Sequence, residues 1–250
     1  MGARRARFRS GRIALFRGTH PRRTPTPQII ETMATNPGAD LQPIAEQDSP
    51  RSVSAEHLQP PAGSPKPSDV GIYLARHGQT AYNLQRRFQG RLDVPLDATG
   101  VAQAQKLAHH AGAYSFAALW SSTLLRAKQT ALIVAKRIQL PVRLDERLVE
   151  TDAGRWTDRT FAEVERQSPQ LFAAFLAGDP QFAFPGGESF AQQSERVAQA
   201  LSDIQKGPLP ALVVCHGVVI RLALYQRSRD RSVLSVRVAN GALMPLDQAQ

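Results

Sequence analysis

Two short apolar runs in this chain end on the same pair of residues. Ile72-Tyr73-Leu74-Ala75 leads into Arg76-His77-Gly78, and Ala211-Leu212-Val213-Val214-Cys215 leads into His216-Gly217. In an α/β protein, ligands bind outside the carboxyl ends of the strands. A guanidinium, a titratable ring and a glycine that lets a ligand approach the backbone would make an anion site there, with a nucleophile in it. The Arg76 charge beside His77 favours the neutral ring, which keeps a nitrogen lone pair free to attack. If the target is a phosphoryl group, several fixed cations are needed, because positioning and charge compensation dominate that reaction. Arginine suits this task, since its planar fork binds phosphate oxygens in pairs. Arg76 is one candidate. Arg126 is a second, expected about one turn into a helix that follows a strand, near the positive helix end. A metal site is the rival reading for a histidine pair. No His-x-x-x-His, cysteine set or dense carboxylate cluster accompanies His77 and His216, so no metal and no cofactor is expected.

The elements that must hold these residues follow from periodicity and punctuation. Strands are expected at residues 70–75, 116–120, 142–144, 211–215, 233–238 and 242–246. Helices are expected at 99–111, 124–138, 161–167, 170–176, 190–204 and 218–226. Residues 76–98 read as a polar, Arg-rich loop, and 145–158 as charged and irregular. Ser121-Ser122-Thr123 is read as the N-cap chemistry of the 124–138 helix. Strands alternating with helices imply an α/β fold: a three-layer arrangement with a mostly parallel central sheet and helices on both faces.

Charge placement limits the partners. The chain of 250 residues carries a formal +10, yet residues 1–30 hold eight Arg and no Lys, Asp or Glu. They supply +8 of it, so the other 220 residues carry only +2 (23 basic, 21 acidic). A basic patch on the folded part, the usual footprint of nucleic-acid binding, is therefore not expected. Residues 1–68, Arg-rich and then rich in Pro and Ser, are read as a basic, disordered tail and linker, and 69–250 as one domain. Met33 is an alternative start, and the Arg-rich segment is alternatively an organelle presequence. No run approaches the roughly 18 apolar residues of a membrane span. A soluble, cytoplasmic protein is expected, with a homodimer left open. Cys215, the one cysteine, reads as a small buried residue. His20, His57, His109 and His110 read as incidental.

Longer stretches carry a resemblance. Arg76-His77-Gly78-Gln79-Thr80, then Asn83, Phe88-Gln89-Gly90 and Pro95-Leu96-Asp97-Ala98-Thr99-Gly100, resembles the opening of the histidine phosphatase (phosphoglycerate mutase-like) superfamily. Ser121-Ser122 through Ala131 resembles its second block, and Glu150 with Gly154 and Trp156 its third. Gly186-Gly187-Glu188-Ser189 resembles the fourth, and Val214-Cys215-His216-Gly217 with Arg221 the last. The match spans about residues 70–246, in order.

The resemblance implies a phosphoglycerate mutase-like fold and a set of roles. His77 would be phosphorylated; Arg76, Arg126 and His216 would bind the transferring group; Glu150 would protonate the leaving oxygen. Asn83, Gln89 and Gly90 would line the phosphate and substrate pocket, with Gly217 beside it. The family's Glu-Gly after Trp156 is replaced by Thr157-Asp158, which bears on specificity. The expected activity is metal-independent hydrolysis of a small phosphomonoester, in the RHG-motif phosphatase branch. The alternatives are a phosphoglycerate mutase, which returns the phosphoryl group to substrate, and a non-catalytic phospholigand-binding protein.

Overall fold

The structure, a computed structural model, describes residues 71–247. The tail and linker assigned to 1–68, Met33 and the strand start at Val70 lie outside the described residues. Five strands form one sheet: β1 (Ile72–Arg76), β2 (Ala118–Ser122), β3 (Val142–Asp145), β4 (Ala211–Cys215) and β5 (Leu243–Pro245), in the order β3-β2-β4-β1-β5. All neighbours run parallel except β5, which is antiparallel to β1. The mostly parallel α/β sheet expected from the alternation of elements is what forms.

The helices are α1 (Ala81–Leu84), α2 (Ala98–Ala111), α3 (Leu125–Ile138), α4 (Phe161–Gln167), α5 (Pro169–Ala177), α6 (Phe190–Gln205) and α7 (Gly217–Ser228). Successive strand side chains point to opposite faces, and the core divides accordingly. Ile72, Leu74, Val213 and Cys215 pack on Val197, Leu201 and Ile204 of α6 and on Ile220 and Ala223 of α7. Tyr73, Ala75, Leu212 and Val214 pack on Leu107 and Ala111 of α2 and on Ala127, Ala131 and Val134 of α3. Helix α6 owes its place to that spacing: Val197, Leu201 and Ile204 share one buried face, and Ser189 with Gln192 closes its first turn as a capping box. Burying those three side chains contributes on the order of 5 kcal/mol. A charge at Leu201 would detach the helix.

A third, aromatic cluster sits beside the sheet. Phe88, Trp156, Phe172, Phe175, Phe182, Phe184 and Phe190 are all buried, with Phe88 5.1 Å from Trp156 and 5.2 Å from Phe175 between ring centroids. It ties the loop after α1 to α4 and α5. The Thr157-Asp158 stretch joins the same contact: Asp158 N–H donates to the Phe88 carbonyl, and Arg87 pairs with the Asp158 carboxylate.

Several expected elements shift. The loop at 76–98 contains α1, nucleated by a capping box in which Thr80 and Asn83 bond reciprocally. The strand expected at 116–120 forms two residues later, so Ser121 and Ser122 end β2 rather than cap α3. The N-cap of α3 is Leu124, and Asp93 from the distant loop accepts the Leu125 N–H at 2.8 Å. No strand forms at 233–238. Asp230 caps a 3-10 turn at Arg231–Leu234, and the Val238 carbonyl is drawn to Arg76 instead of to a neighbouring strand.

Candidate active site

The sheet register brings the two histidines together. Arg76 pairs with Cys215, so His77 and His216 leave neighbouring strands side by side at the carboxyl edge. The His77 N–H donates to the Cys215 carbonyl at 3.1 Å, and the ring centroids lie 5.2 Å apart. Both rings are buried, at 2% and 0% exposure.

His77 Nδ1 lies 2.6 Å from the carbonyl oxygen of Gly78. A carbonyl can only accept, so Nδ1 carries the proton and Nε2 the lone pair. Burial, then the Arg126 and Arg76 charges, hold the His77 pKa well below 6.5. The ring is therefore a neutral base at pH 7, with burial a larger cause than the adjacent guanidinium inferred from sequence. Its Nε2 faces Arg126, whose Nε–H donates to it at 3.3 Å.

Arg126 is 1% exposed, and carbonyls hold it: Nη1 donates to Leu92 at 2.8 Å and Nη2 to Gly90 at 2.9 Å. It is the second residue of α3, closer to the helix start than expected. Gly90, expected in the pocket lining, thus positions Arg126 through its carbonyl. Burial lowers the Arg126 pKa to about 10, with Glu150 and Asp93 opposing, so the guanidinium stays charged.

Arg76 donates from Nη1 to the Val238 carbonyl. Its Nε is buried without a partner among the described residues, as is His216 Nδ1. Gly217 lies against that guanidinium: a Cβ there would stand 3.5 Å from Arg76 Nε. His216 Nε2 is 2.8 Å from Ser122 Oγ. When the Ser122 hydroxyl donates to Nε2, Nδ1 is the N–H of a neutral ring, free to meet a ligand oxygen. Burial first, then Arg126, His77 and Arg76, push the His216 pKa well below 6.5. The site therefore holds two unengaged buried N–H donors beside a histidine lone pair. Among the charges acting on Arg76, only Glu150 is negative, against Arg237, Arg221 and Arg126. A cationic, donor-rich pocket of this kind suits a dianion.

Glu150 follows a 3-10 turn at Glu146–Leu148. Its Oε2 accepts the Val218 N–H at 3.3 Å, two residues past His216, and its Oε1 accepts the Thr151 N–H at 3.0 Å and Gln193 Nε2 at 3.3 Å. The carboxyl is thereby fixed at the N-terminus of α7. Asn83 Oδ1 accepts from Thr80 and, at 3.4 Å, from Asn240, whose same nitrogen donates to the His77 carbonyl at 3.0 Å. Gln89 is buried, its carbonyl accepting the Thr80 hydroxyl at 3.0 Å.

The structure thus groups Arg76, His77, Arg126 and His216 directly, joins Glu150 through Val218, and joins Asn83 through Asn240. It also revises the role of Gly78. A Cβ there would meet the Gly100 carbonyl oxygen at 2.2 Å, so this glycine admits the backbone of α2 rather than a ligand. Sequence reasoning missed Ser122, Asn240, Asp93 and Gln193. Ser122, expected as helix-cap chemistry, accepts the Leu124 N–H and meets His216 Nε2 as well. Cys215 is buried, and burial pushes its thiol pKa up, away from thiolate chemistry.

Comparison with known proteins places this geometry among relatives. The model of the histidine phosphatase superfamily (branch 1) matches residues 72–246. The chain is 36% identical over 151 residues to the Proteus mirabilis (strain HI4320) protein named "Probable phosphoglycerate mutase GpmB", covering 60% of this chain and 70% of that one. Among solved structures it is similar to a mycobacterial glucosyl-3-phosphoglycerate phosphatase complexed with VO3, with a TM-score of 0.63, 30% identity and coverage of 69% and 90%. It is also similar to a mutant phosphoserine phosphatase from Entamoeba histolytica in complex with phosphoserine, with a TM-score of 0.61, 28% identity and coverage of 69% and 87%.

Proposed function

The chain belongs to the histidine phosphatase superfamily (branch 1), and from that membership we propose that it is a phosphomonoester hydrolase working through a phosphohistidine on His77. The observation that carries the reading is the tautomer of His77, with its proton on Nδ1 and its Nε2 lone pair directed at Arg126. A phosphoryl group entering there replaces the lone pair's contact with Arg126 by an oxygen contact. Arg76 Nε–H and His216 Nδ1–H supply two further donors to the phosphoryl oxygens.

In the first step Nε2 attacks phosphorus and the P–O ester bond breaks. The Glu150 carboxylate relays to the leaving oxygen the proton that a monoanionic phosphate ester brings in. In the second step water attacks the phosphohistidine and gives its proton to the Glu150 carboxylate. The P–N bond breaks, its electron pair returns to Nε2, and inorganic phosphate departs. Neither step calls on a metal. Small phosphomonoesters are the substrate class, in line with the phosphorylated compounds for which the similar phosphatases are named.

Transfer of the phosphoryl group back to substrate, the reaction in the curated relatives' name, would require water to be kept from the intermediate. Here the interval between Glu150 and His216 holds α4, α5, α6, β4 and short turns, and hydrolysis is the reading we favour. Turnover of p-nitrophenyl phosphate in EDTA tests it. The wild type is expected to turn over and His77→Ala to lose activity by roughly 10³-fold or more. Activity retained in His77→Ala would refute the phosphohistidine route, and strict dependence on added metal would refute metal independence. Interconversion of 3- and 2-phosphoglycerate outpacing hydrolysis would establish the mutase reading instead.

A further inference from the structure

The Gly186-Gly187-Glu188-Ser189 stretch stands out in the sequence, yet the chemistry above gives it no task. Glu188 is buried, and Arg196 on α6 grips it with both ends of its fork: Nε to Oε1 at 2.6 Å and Nη2 to Oε2 at 2.8 Å. The rest of that guanidinium goes to one short stretch of backbone. Nη1 donates to the carbonyls of Arg147 at 2.6 Å and Val149 at 2.7 Å, and Nη2 to that of Glu150 at 3.3 Å. Glu188 closes the other side, accepting the Asp152 N–H at 3.2 Å and donating its own N–H to the Asp152 carbonyl at 3.0 Å. The backbone on both sides of Glu150 is therefore tied to one ion pair. One turn earlier on the same helix, Gln193 holds the Glu150 carboxyl itself.

The pair also reaches the nucleophile. Arg91 Nη2 lies 3.3 Å from Glu188 Oε2, and the carbonyls on either side of Arg91, those of Gly90 and Leu92, are the two that hold Arg126. Glu188 is thus a node between the segment carrying Glu150 and the loop that aims Arg126 at His77.

We propose that Arg196, oriented by Glu188, is a positioning residue for proton transfer: it sets the backbone of residues 147–152 so that the Glu150 carboxyl reaches the leaving oxygen. A bidentate guanidinium with three carbonyl acceptors is needed for this, and a lysine point charge cannot replace it. The proposal rests on the reading that Glu150 is the proton donor, and leaving-group dependence separates the two. Nitrophenolate departs unprotonated, whereas an alkoxide must be protonated as it leaves. A residue acting through Glu150 therefore affects alkyl phosphates selectively, while a merely structural one lowers both rates alike. The ratio of the two is independent of the folded fraction, so partial unfolding of a variant does not blur it.

The experiment measures kcat/KM of Arg196→Lys and Glu188→Gln on p-nitrophenyl phosphate and on an alkyl phosphomonoester such as glycerol phosphate, with Glu150→Gln as reference. General acid catalysis contributes roughly 10²–10⁴-fold, so Glu150→Gln should lose about that on the alkyl ester and far less on the aryl ester. Misplacement rather than removal of the acid should cost Arg196→Lys and Glu188→Gln about 10–10²-fold on the alkyl ester, with little change on the aryl ester. Equal losses on both esters, or no loss on either, in these two variants beside a selective loss in Glu150→Gln would overturn the proposal alone. Equal losses in Glu150→Gln would remove the reading of Glu150 on which it rests.

Discussion

Two buried neutral histidines should make the fold acid-sensitive in a window where its carboxylates are still silent. In the unfolded chain each imidazole binds a proton as the pH falls through 6.5; in the folded chain burial and the neighbouring guanidinium groups hold His77 and His216 well below that. The unfolded state then binds more protons, so unfolding free energy falls as the pH falls. Each histidine contributes about 1 kcal/mol or slightly more per pH unit once below its unfolded value, so from about pH 7.5 to about pH 5.5 the pair removes on the order of 3 kcal/mol. Against a total stability of about 5–15 kcal/mol this is readily measured. His110, partly buried, adds in the same direction. Glu188 and Asp145, held low by Arg196 and Arg147 against burial, lose their stabilisation only as the pH drops below the carboxylate range near 4. Urea unfolding at the two pH values reads the difference directly. Wild type should lose on the order of 3 kcal/mol between them, and the His77→Gln/His216→Gln double variant only a small part of that. Equal losses in the two proteins would refute the claim that the histidines are buried neutral, and with it the account of His77 as a ready nucleophile.

Three further outcomes follow from particular contacts. Gly78→Ala drives a Cβ to 2.2 Å from the Gly100 carbonyl oxygen, which is backbone and cannot turn aside. Thermal unfolding should show a loss of about 3 kcal/mol, and turnover should fall with it because His77 is the preceding residue. Asp93→Ala removes the acceptor of the Leu125 N–H. A cap loss of about 1 kcal/mol is expected by urea unfolding, together with a lower kcat/KM, since Leu92 next to it holds Arg126. Deleting residues 1–68 should leave kcat/KM unchanged and weaken retention on heparin, because those residues carry +5 of the formal +10, with eight Arg clustered in residues 1–30; a change in turnover would show that the tail belongs to the enzyme.

What the sequence disclosed and what it hid divides along range of interaction. Strands β1 and β4 announced themselves as apolar runs ending in His-Gly, and the alternation of strand and helix carried the sheet class, because both signals are local. The boundaries failed where a distant group intervened. Asp93 took the capping of Leu125 from across the loop, while the Ser122 hydroxyl, which accepts the Leu124 N–H, also hydrogen-bonds His216. The Val238 carbonyl went to Arg76, so the apolar stretch around it did not become a strand. Residue types and motif order named Arg76, His77, Arg126, Glu150 and His216, but no spacing in the chain says that Arg196 would hold the backbone of Glu150 or that Gly90 would hold Arg126. Those contacts join residues 36 to 49 positions apart, and only the fold writes them. Gly78 is the instructive case. Its necessity was legible, while its reason, the close approach of α2, was not.

The central claim is that His77 Nε2 becomes covalently phosphorylated. Rapid quenching of the enzyme during turnover of a phosphomonoester, followed by peptide mass spectrometry under alkaline conditions, tests it most directly. An acid-labile, base-stable phosphoryl group on the peptide carrying His77, absent from His77→Ala and accumulating when Glu150 is replaced by Gln, is the predicted result. A burst of product with no phosphoryl group on that peptide, or one found on His216, would contradict it.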